Sequence, residues 1–92
     1  MNILEFTDSI STAFTFKYFN KTWLATIEGC RLVTLNHVSE VEGRGSTSAE
    51  ALCDLILKIQ GKQLLINLNR IVGVPEDLDG LPDETVLDGV IK

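Results

Sequence analysis

The sequence predicts an α+β fold: an antiparallel sheet of three to four strands with one helix packed on one face, in the order βββαβ. Three observations point there. Two runs rich in aromatic and β-branched residues flank Asn20-Lys21, an amphipathic stretch follows a cap at Thr47, and a short unbroken apolar run spans Leu64 to Leu68.

Residues 1–12 are expected to form a docked arm or short leading element. Ile3, Phe6 and Ile10 suit one helical face, whereas Thr7, Ser9, Ser11 and Thr12 favour extended or turn structure. From Phe14 the alternation becomes that of a strand, with Phe14, Phe16 and Tyr18 on one side and Thr15, Lys17 and Phe19 on the other. Asn20-Lys21 is a hairpin turn, because asparagine tolerates positive φ. The second strand runs from Thr22 to Glu28 with Trp23, Ala25 and Ile27 sharing a face. After a turn at Gly29-Cys30-Arg31, Leu32 to Val41 supplies a third strand whose two faces are both mixed.

The helix is expected over 48–60. Thr47 and Glu50 stand three apart, so the threonine oxygen accepts from the residue 50 N–H while the glutamate reaches back to the N–H of residue 47. Leu52, Leu55, Ile56 and Ile59 line one face, with Ala49 and Cys53 beside the stripe, and Cys53 reads as a small buried hydrophobe. Gly61 ends the helix in the left-handed conformation, and Lys58 and Lys62 complement its negative end. Leu64 to Leu68 then reads as a strand buried against the helix, and 69–74 as an edge. Such a helix is about 20 Å long and covers one sheet face, which leaves the other for solvent, the tail or a second subunit.

The chain is expected to hold one domain over 1–74, followed by an acidic tail over 75–92. Residues 1–74 balance seven acids against seven bases, whereas Glu76, Asp77, Asp79, Asp83, Glu84 and Asp88 face only Lys92 beyond Pro75. No run is apolar enough to span a membrane, and the first residues lack the basic flank of a secretory signal, so the expected compartment is the cytoplasm. Cys30, Cys53 and the only histidine, His37, do not form a metal spacing, and no nucleophile–base set emerges. No cofactor, no metal and no enzymatic activity are expected.

Three segments carry a family resemblance: the strand Lys21 to Glu28, the junction Gly43-Arg44-Gly45-Ser46-Thr47 with Ala49-Glu50-Ala51-Leu52, and the helix end Ile59-Gln60-Gly61-Lys62. Together they resemble HicB-like antitoxin domains and small bacteriophage proteins of the same plan. The resemblance covers residues 14–68. It implies an antitoxin-like or anti-defence protein that acts by binding a protein partner. HicB-type antitoxins usually add a DNA-binding segment after this core, and the acidic tail here would repel a phosphate backbone, so no direct nucleic-acid binding is expected.

Two sets of residues are candidates for function. Arg44, Gly45, Ser46 and Thr47 stand where free N–H groups, a helix dipole and a guanidinium would converge on a nucleotide or other anion, although a glycine turn followed by a cap consumes the same donors. Phe16, Tyr18 and Trp23, with Asp77, Asp79, Asp83 and Glu84, are candidates for an interface with a protein partner or with a second copy in a homodimer or higher oligomer. Spaced carboxylates on the tail also suit mimicry of nucleic acid toward a basic host protein.

Overall fold

The computed structural model describes residues 1–35 and 37–80. Its elements are, in order, α1 (Ile3–Ser9), β1 (Phe14–Phe19), β2 (Thr22–Ile27), β3 (Cys30–Thr34), β4 (His37–Ser39), β5 (Gly43–Gly45), α2 (Ser48–Ile59), β6 (Gln63–Ile66) and β7 (Arg70–Gly73). The fold is α+β, with α2 packed on a sheet as expected. The strands divide between two antiparallel sheets, ordered β1-β2-β5 and β4-β3-β6-β7.

Local signals account for most boundaries. Asn20 and Lys21 take φ of 52° and 62°, the pair of positive values that a two-residue hairpin turn requires, and β1 and β2 close around them in the register Phe19 to Thr22. Thr47 caps α2 by accepting from the Glu50 N–H at 3.1 Å, and Gly61 with φ of 68° follows its end. The leading segment is a true helix. Asn2 Oδ1 accepts from the Glu5 N–H at 2.9 Å while Glu5 Oε1 accepts from the Asn2 N–H at 3.0 Å, so the reciprocal capping box lies here.

The same box is incomplete on α2. Glu50 does not reach back to residue 47; its carboxylate accepts the N–H and the hydroxyl of Ser46 instead.

Four further expectations are corrected. The run Leu32 to Val41 is not one strand: β3 and β4 pair antiparallel with Thr34 opposite His37, so the chain reverses within it. The turn before β3 is Glu28-Gly29, and Cys30 opens the strand. The second and third strands do not pair either, because the chain changes sheet at that turn. β2 takes β5 as its second neighbour, and β3 takes β6. Cys53 is exposed, since Ala49, Cys53 and Leu57 form the outer stripe of α2 while Ser48, Ala51, Leu52, Leu55, Ile56 and Ile59 are buried.

One core joins both helices and both sheets. Ile3 and Phe6 from α1, and Ile10 at its C-cap, meet Ala25, Ile27, Leu55, Ile59, Leu64 and Ile66. Packing does not stop at Pro75: Val74 and Leu78 are buried, the Ile3 N–H donates to the Asp79 carbonyl at 2.9 Å, and Gln60 Nε2 donates to the Leu78 carbonyl at 2.8 Å. Residues 75–80 are therefore stitched between the start of α1 and the end of α2. Asp83, Glu84 and the rest of the expected tail from residue 81 on lie outside the described residues.

Candidate functional site

The junction Gly43 to Thr47 is a strand pressed onto a helix. In β5, Gly43, Arg44 and Gly45 pair with Ala25, Leu24 and Trp23 of β2. A Cβ on Gly43 would fall into the Ala51 carbonyl and the Leu55 N–H and would lie 2.7 Å from Leu55 Cβ, while one on Gly45 would lie 2.5 Å from Glu50 Cβ and 2.6 Å from Ala51 N. Both glycines are needed for close approach of β5 to the backbone of α2, because no side chain fits between them.

The Arg44 and Ser46 donors of this junction are already engaged. Arg44 N–H donates to Asp54 Oδ2 at 2.9 Å, Ser46 N–H to Glu50 Oε2 at 2.9 Å, and Glu50 N–H to Thr47 Oγ1. The Arg44 guanidinium, itself exposed, pairs with Glu42 at 3.1 Å. Lys58 adds a second clamp, bonding both Asp54 Oδ2 and the Glu42 carbonyl at 2.9 Å. Arg44 and Ser46, which would bind an anion, thus bind the chain's own carboxylates. The effect on those carboxylates is consistent: Glu50 is held below the usual range by the Ser46 hydroxyl and N–H, and Asp54 by Lys58 and the Arg44 N–H.

The aromatic candidates lie at the other side of the same sheet. The register places Phe14, Phe16 and Tyr18 opposite Ile27, Ala25 and Trp23, on the face that α2 covers. Phe14 is buried, and Phe16 and Trp23 are half-buried against the core, so much of this set is packing. The aromatic face is not the face opposite the helix. Cover fails toward the hairpin tip, because α2 lies over β5 and β2 and leaves β1 at the margin. Tyr18 is 59% exposed with its ring 5.1 Å from that of Trp23, and Phe19, on the opposite face, is 63% exposed with Lys17 Nζ 5.7 Å above it.

Asp77 and Asp79 are exposed on the segment that joins α1 and α2, with the Asp79 backbone fully engaged in that join. Cys30 lines a shallow cleft of about 340 Å³ with Glu28 and Glu40 at the corner between the sheets. Burial pushes its thiol above the ordinary value, which Arg70 opposes without reversing, and a protonated thiol is a poor nucleophile. His37 is exposed on β4, and among the described residues no three histidine, cysteine or acidic side chains converge as a metal site. No helix among them is long and apolar enough to cross a membrane.

The open edge of β1 is the feature that sequence reading missed. Its signal was present in the alternation of Phe14 to Phe19, but which strand lies at an edge is decided by long-range pairing. Comparison with protein-family models, with curated proteins and with solved structures finds no match to this chain.

Proposed function

We propose that this chain is a non-enzymatic protein-binding module of the antitoxin-like or phage accessory type, acting in the cytoplasm through a protein partner. The observation that carries the reading is the exposed aromatic tip of the β1–β2 hairpin, where Tyr18 and Phe19 stand clear of the core on a rigid two-stranded support. The three segments that resemble HicB-like domains also come together as one unit, β2, β5 and α2. Asp77 and Asp79 supply acidic character suited to a basic partner.

Affinity capture from an extract of the encoding organism tests this, with wild type compared against Tyr18→Ser/Phe19→Ser. The expected result is a discrete partner retained by wild type and lost by the variant. Retention that ignores both substitutions, or no partner at all, contradicts the proposal. The alternative is an anion binder at Arg44, Gly45, Ser46 and Thr47. Engagement of those donors by Glu50 and Asp54 weighs against it. Saturating nucleotides are accordingly expected to raise the melting temperature by less than about 2 °C, whereas a specific ligand would stabilise by a few kcal/mol.

A further inference from the structure

The two edges of the three-stranded sheet are treated differently by the rest of the chain. The β5 edge is sealed, since Asp54 takes the Arg44 N–H and Lys58 takes the Glu42 carbonyl. The β1 edge is not sealed by anything among the described residues. It is also the longest edge among the described residues, at six residues against three in β4, three in β5 and four in β7.

The polarity of that edge follows from the register. The Glu28 N–H donates to the Ala13 carbonyl at 2.9 Å, and this pair continues the β1–β2 ladder. Hydrogen-bonded pairs alternate in an antiparallel ladder, so Ala13, Thr15, Lys17 and Phe19 turn their backbone groups toward β2. Phe14, Phe16 and Tyr18 turn theirs outward. An edge of alternate unpaired donors and acceptors is completed by another extended strand.

The side chains select the strand. Around Phe16 the sequence is near-palindromic, aromatic at 14, 16 and 18 and polar at 15 and 17. Antiparallel pairing of β1 with itself about Phe16 sets Phe16 against Phe16, Phe14 against Tyr18, and Thr15 against Lys17 of the second copy. Every outward group of Phe14, Phe16 and Tyr18 then gains a partner. The half-buried Phe16 ring and the exposed Tyr18 ring meet aromatic neighbours on the helix side of the sheet, at the β1 margin beyond the reach of α2. Shifting the axis to Lys17 would oppose two ammonium groups and strand the outward groups of Phe14. Charge thus rejects that register, and an axis at Thr15 would set Tyr18 against Thr12, outside the strand.

We propose that two copies of this chain join through their β1 strands, antiparallel about Phe16, into one continuous six-stranded sheet. The dimer rests on the reading of the chain as a protein-binding module, and it names the surface and register by which a second copy is bound.

Residue-resolved amide hydrogen exchange, combined with sedimentation equilibrium of the full chain over a concentration series, tests it. The Phe14, Phe16 and Tyr18 amides are expected to gain protection as the dimer forms, while those of Thr15, Lys17 and Phe19 are slow throughout. Thr15→Lys, which opposes Lys17 of the second copy, is expected to weaken dimerisation about tenfold, and Thr15→Lys/Lys17→Glu to restore it. Thr15→Val separates this from loss of the 2.9 Å contact between the Thr15 and Thr26 hydroxyls, and is expected to dimerise as wild type does. A monomer with fast Phe14, Phe16 and Tyr18 amides at the highest concentration overturns the dimer. So does protection of those amides only by a captured foreign protein, a result that would leave the protein-binding proposal standing.

Discussion

Single residues decide how closely α2 approaches the sheet. Gly43→Ala and Gly45→Ala each force a methyl into helix backbone rather than into movable side chains, so each is expected to lower unfolding stability by about 3 kcal/mol or more in urea denaturation. Gly73→Ala is the control. Nothing lies within 4 Å of a Cβ there, and the change is expected to be neutral or stabilising by up to about 1 kcal/mol. Glu50 and Asp54 make the same junction sensitive to pH. Both have folded-state values below the ordinary carboxylate range, so their contribution is complete above the unfolded value and fades as pH falls through the lowered one. Stability measured from about pH 6 to about pH 2 should therefore decline less steeply in Glu50→Gln/Asp54→Asn than in wild type.

The elements legible in the sequence are those built from local contacts. The Asn20-Lys21 turn, the Thr47 cap and the Gly61 stop each depend on residues within a few positions, and all three stand in the structure. β5 was not legible as a strand, because Gly-Arg-Gly offers no side-chain alternation and is selected by what it packs against. The reversal inside Leu32 to Val41 was hidden by two mixed faces. The sequence of α1 does not decide between helix and arm, because its hydroxyl residues argue against a helix. The Asn2–Glu5 box and the burial of Ile3, Phe6 and Ile10 outweigh them. Its far end is held from a distance, by Arg70 Nη2 donating to the Ile10 carbonyl at 2.7 Å. Asn2→Ala is expected to cost about 1 kcal/mol and Arg70→Ala about 1.5 to 3 kcal/mol in thermal unfolding. Each kcal/mol corresponds to about 4–8 °C in a domain of this size.

At the scale of the molecule, the candidate residues separate into folding devices and free surface. Arg44, Gly45, Ser46 and Thr47 fix β5 onto α2, whereas Tyr18 and Phe19 extend from the hairpin without a packing role that requires their exposed area. The sequence pointed to the junction and to Phe16, Tyr18 and Trp23 but not to Phe19, and it did not identify Glu50 and Asp54 as the partners of the junction donors, because these meet only once β5 lies along the helix. The same packing leaves one sheet edge sealed and the other open. The most direct measurement is amide hydrogen exchange of the dilute free chain, read residue by residue. Slow exchange at Arg44 and Ser46 with fast exchange at Phe14, Phe16 and Tyr18 in the dilute monomer is the expected result; fast exchange at the junction with a β1 edge already protected in the monomer would contradict the assignment of binding surface to the hairpin.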